Sequence, residues 1–241
     1  MANESDLRAD LAAAFRWVAR LDWHEGVANH FSVAVSDDGS QFLMNPAGRH
    51  FSRLRASDLL LLDANNPATM KQPHAPDPTA WCLHAYLHRH LPAARCLLHT
   101  HAPYATALAS LDGWRMQPID QNACRFFNRV AYDEHFGGML LDEEEPARQA
   151  AALGDKKVLL MRGHGLLTVG ADVGEAFDLL YHFERACRNQ WLALTTQRPL
   201  FLINDDIAEK TAQQWDNYPT QKQHFAELRA ILDATESDYL A

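Results

Sequence analysis

Short apolar runs of strand length alternate with segments of helical periodicity, and this alternation limits the possible folds more than any other feature of the sequence. Apolar side chains recur at helical spacing over residues 5–22 and again over the long segment 172–196. The strand-length runs between them lie at 31–35, 41–44, 59–63, 95–99, 157–161 and 166–169. This order of elements predicts one α/β domain over residues 1–241.

Turn residues and prolines separate the predicted elements. The turn Asp37-Asp38-Gly39 joins the first two strand-length runs into a predicted hairpin. Residues 64–79 contain four prolines, and this density predicts that the segment forms no regular element. Thr79 is the predicted N-cap of a helix over 80–91, which Pro92 ends.

The composition excludes several classes of protein. With 47% hydrophobic and 22% charged residues, the chain can bury a substantial core. No run approaches the roughly 18 apolar residues of a membrane span, and the N-terminus lacks the pattern of a signal peptide. We therefore expect a soluble, cytoplasmic protein that binds no membrane. The net charge of −9, with acids and bases interspersed, argues against a nucleic-acid partner, and four cysteines without a CxxC pair predict buried free thiols.

Three of the 13 histidines stand at the ends of two apolar strands. His99 and His101 are two residues apart, so on a strand their side chains point to the same face. His164 lies between two glycines directly after another apolar run, where glycine permits a close backbone approach or a positive φ. Three imidazoles with an open fourth position are typical of a catalytic metal centre, although hydrogen-bonded strand-end histidines are the alternative. His84 and His88, one helical turn apart, also have a spacing that can bind metal, but packing is the favoured interpretation.

Several ordered motifs resemble the class II aldolase and adducin family, of the fuculose-phosphate aldolase and ribulose-phosphate 4-epimerase type. The motifs are Asn29–Ser32, Asn45–Gly48, His99–Ala107, Gly163–Leu166 and, in the long helix, Phe183–Cys187. The resemblance implies a three-layer α/β/α fold with a central, mainly antiparallel sheet. It implies a domain core at about 5–200, which leaves a helical extension over 205–241. It also implies one divalent metal ion (zinc, manganese, iron or cobalt) held by His99, His101 and His164. The implied assembly is a homotetramer with active sites at the subunit interfaces.

The chain departs from the aldolases at the residue that performs their acid/base chemistry. The family's Pro-Ser-Ser-Glu segment falls on Asp77-Pro78-Thr79-Ala80, which places Ala80 where the aldolases have a glutamate. A methyl group carries no proton and binds no cation, so this acid/base step is unavailable from position 80.

The phosphate site is reduced as well. Ala47 replaces the threonine of the family's Thr-Gly pair, and Pro78 replaces a serine and lacks a donor N–H. The resemblance leaves Asn29, Gly48 and Thr79 as substrate-binding residues, which suit a carboxylate better than a phosphate. Arg49 beside them either adds positive charge or is a solvated loop residue.

Replacement acid and base residues are expected nearby. Asp77 lies three residues before Ala80, and His74 lies in the same proline-rich loop. Tyr132 matches the tyrosine that the family's aldolases contribute across the subunit interface as a proton donor. A buried aromatic residue with a hydrogen-bonded hydroxyl is the alternative interpretation of Tyr132.

The resemblance and its departures together predict a metal-dependent lyase that acts through a metal-stabilised enolate. Its expected substrate is a small, non-phosphorylated carboxylate or carbonyl compound. Decarboxylation is favoured because loss of CO2 generates the carbanion without a base. The alternative reaction is aldol cleavage of a hydroxy-keto acid, with water, Asp77 or His74 as base. The alternative outside the enzymes is a catalytically silent, adducin-like assembly module, and the persistence of all three histidines favours an enzyme.

Overall fold

The computed structural model describes residues 3–139, 143–218 and 220–241. Its strands are β1 (His30–Ala34), β2 (Gln41–Met44), β3 (Leu60–Asp63), β4 (Cys96–Thr100), β5 (Val130–Asp133), β6 (Val158–Met161) and β7 (Gly165–Gly170). Its helices are α1 (Glu4–Arg20), α2 (Pro78–His90), α3 (Pro103–Ala109), α4 (Gln121–Arg125), α5 (Glu144–Leu153), α6 (Val173–Thr195), α7 (Asp205–Asp216) and α8 (Thr220–Thr235). Helices α7 and α8 lie in the segment predicted to form a helical extension.

The seven strands form one sheet in the order β3-β2-β1-β4-β7-β6-β5. Each neighbouring pair is antiparallel except β5 and β6, which run parallel at one edge. Val33 lies opposite Leu43, which confirms the predicted hairpin of β1 and β2. The expected α/β fold with a mainly antiparallel sheet is likewise confirmed.

Helices cover both faces of the sheet because successive side chains of a strand point in opposite directions. On β4, Leu98 packs in the larger core cluster with Phe15 of α1 and Phe183 of α6. Its neighbour Leu97 faces the other way and packs with Leu87 of α2 in a second cluster. The central strand therefore joins two apolar cores, and its end lies between the two helical layers.

Two predictions around the proline-rich segment are wrong. The segment is not irregular throughout, because Pro67–Lys71 form a 3-10 helix whose first turn is capped by the Asn66 side chain. Thr79 is not the N-cap of α2, because the helix begins at Pro78 and the Asp77 carboxylate accepts the Thr79 N–H at 2.8 Å. Proline at the first helical position loses no hydrogen bond, since its N–H would have no partner inside the helix.

The remaining sequence predictions concern thiols and membranes. Cys96, Cys124 and Cys187 are buried free thiols, as predicted, whereas Cys82 is half-buried. None of the helices in the described ranges combines the length and apolarity that a bilayer crossing requires.

Candidate metal centre

The three predicted histidine ligands meet where β4 ends and β7 begins. The ring centroids of His99 and His164 are 4.8 Å apart, and His101 lies 5.2 Å from each of them. One ligand nitrogen from each ring lies within 4.8 Å of the other two. The pairing of Thr100 with Leu166 brings the strand ends together, so residues distant in sequence converge on one point.

Gly165 permits this close approach. A Cβ atom at this position would lie 2.6 Å from the Thr100 carbonyl oxygen and 2.8 Å from Cδ2 of His101. The preceding Gly163 has a φ of +62°, a left-handed conformation that glycine adopts without strain. The Gly-His-Gly sequence is therefore required both for the turn and for the contact between the strands.

Hydrogen bonds orient the ligand rings. Nδ1 of His99 lies 3.1 Å from the Leu166 carbonyl oxygen, to which it donates, and this leaves Nε2 as a bare nitrogen. The His101 backbone N–H donates to Oδ1 of Asn29 at 3.3 Å. Nε2 of His101 is buried and has no hydrogen-bond partner among the described residues. A buried nitrogen without a partner, beside two other imidazoles, fits a site that holds a cation.

Burial also sets the protonation state of the cluster. Desolvation lowers the pKa of His164 to about 4, with a smaller contribution from the nearby His101. Desolvation and the neighbouring imidazoles hold the pKa of His99 well below its usual range. Desolvation lowers the pKa of His101 as well, partly opposed by Glu25. The rings are neutral at ordinary pH, which is the form that binds a metal ion.

A buried chain of hydrogen-bonded side chains adjoins the cluster. The ring of His30 lies 4.7 Å from that of His99, and Nδ1 of His30 is 2.8 Å from Nε2 of His84. The Ser32 hydroxyl oxygen lies 2.5 Å from Nδ1 of His84 and 2.7 Å from Nε2 of His88. Sequence analysis favoured packing for the His84 and His88 pair and did not connect it to the site. The available signal was the matching i, i+2 spacing of His30 and Ser32 on a strand.

The chain is similar to known proteins over most of its length. The sequence model of the Class II Aldolase and Adducin N-terminal domain matches residues 9–191, which is most of the chain. The chain belongs to the class II aldolase and adducin family.

Individual members of the family are similar over nearly the whole chain. The structure of an aldolase II superfamily protein from Pseudomonas syringae superposes with a TM-score of 0.88 at 30% identity, covering 100% of this chain and 97% of that one. The decarboxylase NovR of Streptomyces niveus is 28% identical over 86% of this chain and 79% of its own length. An L-fuculose 1-phosphate aldolase from Glaciozyma antarctica superposes with a TM-score of 0.83 at 23% identity, covering 98% of this chain and 92% of that chain, and this likeness shows the shared fold.

Ala80, which the resemblance aligns with the aldolase glutamate, lies among apolar side chains. Ala80 is 1% exposed and packs in a cluster with Phe42, Met44 and Leu62. It lies one helical turn before His84 on α2. A charged carboxylate here would be desolvated against these side chains, so the packing suits the methyl group of alanine.

The two predicted replacement bases lie on the exposed side of the same loop. Asp77 is exposed, and Oδ1 accepts hydrogen bonds from the N–H and the hydroxyl of Thr79 at 2.8 and 2.5 Å. Burial lowers the pKa of His30 to about 3, and the Asp77 charge opposes that shift, so Asp77 acts electrostatically on the histidine cluster. His74 is exposed and has a φ of +59°, and its prediction as a base stays a prediction.

Tyr132 lies on the edge strand β5. Its hydroxyl oxygen accepts the Met116 N–H at 3.0 Å, and the Arg115 guanidinium lies 4.3 Å from the centroid of its ring. Burial raises the pKa of Tyr132 to about 12. These contacts within one chain do not join Tyr132 to the three histidines, so its predicted role across a subunit interface stays a prediction.

The predicted substrate-binding residues differ in whether their polar groups already have hydrogen-bond or ion-pair partners. Oδ1 of Asn29 accepts from Glu25 N–H at 2.7 Å as well as from His101, whereas its buried Nδ2 has no partner among the described residues. Gly48 forms an exposed turn with a φ of +71°. Arg49 forms an ion pair with Asp58 at 2.9 Å, so part of its charge is already neutralised. Nδ2 of Asn29 and Nε of Arg49 are both buried donors without a partner among the described residues.

Proposed function

We propose that this protein is a divalent-metal-dependent carbon–carbon lyase that decarboxylates a small, non-phosphorylated carboxylate substrate. The observation that carries the proposal is the combination of three converging, neutral histidines with a buried Ala80 in place of the family's glutamate. The similarity to a decarboxylase from Streptomyces niveus supports this choice among the reactions of the family.

The chemistry follows from the groups that are present. A divalent cation held by His99, His101 and His164 would supply Lewis-acid stabilisation of the negative charge that develops beside the carbon losing CO2. Aldol cleavage requires a base to begin, whereas decarboxylation does not, because the departing CO2 leaves its electron pair on the substrate, where a carbonyl group β to the lost carboxylate accepts it as an enolate. A site without the glutamate therefore supports decarboxylation more readily than aldol chemistry of a sugar phosphate.

Two further residues have roles in this scheme. The unpartnered Nδ2 of Asn29 donates to an oxygen of the bound carboxylate. Tyr132 of a neighbouring subunit protonates the product carbanion, since its hydroxyl oxygen accepts from Met116 and its own proton has no acceptor among the described residues. Its raised pKa, about 12 as a result of burial, keeps this donor protonated at neutral pH.

The decisive experiment compares kcat/KM for unphosphorylated 2-oxo and hydroxy acids with kcat/KM for fuculose and ribulose phosphates. We expect CO2 release from at least one acid and little turnover of the sugar phosphates. Loss of a general base typically removes roughly 10²–10⁴-fold of rate. His164→Ala should abolish CO2 release, and His90→Ala, which changes an exposed histidine on α2, should not.

Other outcomes have distinct meanings. Efficient cleavage of a sugar phosphate would overturn the proposal and show that another residue supplies the base. Release of an aldehyde from a hydroxy-keto acid, lost in Asp77→Asn, would instead favour the aldolase alternative, because Asp77 already acts electrostatically on the cluster. Absence of turnover with every substrate and metal tested would favour an adducin-like assembly module.

A further inference from the structure

A second convergence of imidazoles and a carboxylate lies outside the first histidine cluster. Asp178 and His182 on α6 meet His224 on α8, with one ligand atom of each within 4.8 Å of the others. Oδ1 of Asp178 lies 2.7 Å from Nδ1 of His224 and 3.5 Å from Nε2 of His182. Both imidazoles therefore point at the same carboxylate oxygen.

The two helices position these groups without local strain. Asp178 and His182 are four residues apart on α6, so they share one helix face. Helix α8 packs along α6, where the rings of Phe177 and Phe225 lie 5.6 Å apart beside the polar cluster. Asp178 is 4% exposed, and both histidine side chains are about three-quarters covered. The cluster is shielded from solvent but remains accessible from one side.

The other carboxylate oxygen is already engaged. Nη2 of Arg125 lies 2.7 Å from Oδ2 of Asp178 in a buried ion pair. Burial alone would raise the pKa of Asp178, but hydrogen bonds from His182 and His224 and the Arg125 charge hold it well below its usual value. The carboxylate is thus ionised at any ordinary pH, and Oδ1 is oriented toward the two imidazoles.

We propose that Asp178, His182 and His224 form a second divalent-cation site, suited to zinc or a similar borderline ion. Tetrahedral zinc, with ligand bonds of about 2.0–2.2 Å, separates neighbouring donor atoms by roughly 3.3 Å. The two observed separations from Oδ1, 2.7 and 3.5 Å, lie on either side of that value, and the two imidazole nitrogens lie within 4.8 Å of each other, so side-chain movements would bring the three donors to the tetrahedral spacing. Water would complete the coordination at the accessible side.

Binding shifts the imidazole protons but transfers no electrons. Each ring presents a lone pair to the cation and carries its proton on the opposite nitrogen. For His182 that nitrogen is Nδ1, which is buried and has no hydrogen-bond partner among the described residues, so its N–H would be unpaired in the metal-bound form and would oppose binding. The hydrogen bond from Arg125 to the second oxygen then orients the metal-bound carboxylate, as partners of metal ligands commonly do.

This second site would join the C-terminal helix to the core of the domain. Helix α6 also carries Glu184, whose oxygens accept the Tyr104 and Ala105 N–H groups, both at 2.8 Å, at the start of α3. A cation between α6 and α8 therefore stabilises the helix that supports the segment following His101. Its role is structural, and it is independent of the lyase function proposed above.

The test is a count of bound zinc on the full chain, stripped with chelator and then titrated by calorimetry. We expect about two zinc ions per chain in the wild type and about one in either His224→Ala or His99→Ala. The affinity of the remaining site should change less than about threefold in each single variant. His90→Ala, which removes an exposed histidine from α2, is the matched control and should retain both sites.

A thermal measurement covers the case in which His224→Ala folds poorly. In a His99→Ala background, zinc at about 100 times its Kd should raise Tm by roughly 5 °C or more. Adding His182→Gln should remove that shift, because it replaces a partly covered ligand without disturbing the Arg125 ion pair. The second site would be refuted if the wild type bound one zinc ion per chain and that ion were lost in His99→Ala. The same ion would then be retained in both His224→Ala and His182→Gln. The same result would leave the lyase proposal intact, since that proposal depends on CO2 release and the first cluster.

Discussion

The buried His88 should make the stability of the protein fall steeply with acid. His88 is 1% exposed, and burial lowers its pKa from 6.5 to about 3. Below pH 6.5 the unfolded chain therefore binds a proton at this position that the folded chain does not. Its contribution to stability is complete above pH 6.5 and is lost progressively as the pH falls toward 3.

The magnitude follows from the two pKa values. Between pH 7 and about pH 5.5, one histidine that protonates only in the unfolded state costs about 1.3 kcal/mol of unfolding free energy. Burial also lowers the pKa of His30 to about 3. His30 therefore also makes the free energy of unfolding fall as the pH is lowered. Between pH 7 and about pH 5.5, His30 and His88 together lower the free energy of unfolding by about 2.5 kcal/mol. This is a large share of the typical 5–15 kcal/mol stability of a domain.

The assay is chemical denaturation of the chelator-treated protein at several pH values in this window. His88→Gln should lower stability at pH 7, because it disturbs the bond to the Ser32 hydroxyl, but reduce the pH dependence by about 1.3 kcal/mol. His90→Gln, two residues along the same helix and exposed, should leave the pH dependence unchanged. If His88→Gln retains the full pH dependence of the wild type, the buried neutral imidazole is not its origin.

Three further predictions concern the metal and the assembly. Elemental analysis should find that His99→Ala and His164→Ala both lose the metal ion of the first cluster, and full occupancy in both would disprove the ligand assignment. Sedimentation should give about four times the 27.2 kDa chain mass, whereas a monomer would remove the role of Tyr132. Gly165→Ala should cost about 1–3 kcal/mol in denaturation experiments and weaken metal binding, because its Cβ would lie 2.6 Å from a backbone carbonyl oxygen. Unchanged stability and affinity would show that the strands can separate there.

The parts of the site that sequence predicts well are those encoded locally. His99 and His101 share a strand end, and Gly163 and Gly165 flank His164, so spacing and turn chemistry predict the three candidate ligands. The hairpin of β1 and β2 was predictable for the same reason, since its turn residues and alternating side chains lie within a short segment. Family motifs in order along the chain then linked these segments into one site.

The parts that were missed depend on contacts between distant segments. The bond between His30 and His84 joins residues 54 positions apart, and the bond between Asp178 and His224 joins residues 46 positions apart. Neither pair can be recognised until strand register and helix packing are known. Edge strand β5 and helix α4 are only four and five residues long, too short for a periodic pattern, and helix α5 was also not predicted. The helix start at Asp77 and Pro78 lies inside a proline-rich segment, so the sequence pattern alone predicts Thr79 as the cap.

The register between β4 and β7 determines at which stage of folding the proposed metal site can form. Thr100 pairs with Leu166, and shifting that pairing by one residue would turn the side chains of one strand to the opposite face. The proposed ligands His99 and His164 come from segments about 65 residues apart in sequence, and contacts across such separations form late because closing long loops is entropically costly. Ion binding can therefore be used as a time-resolved signal that the centre of the sheet has reached its native alignment. During synthesis, that signal cannot arise until the ribosome has released the chain beyond β7.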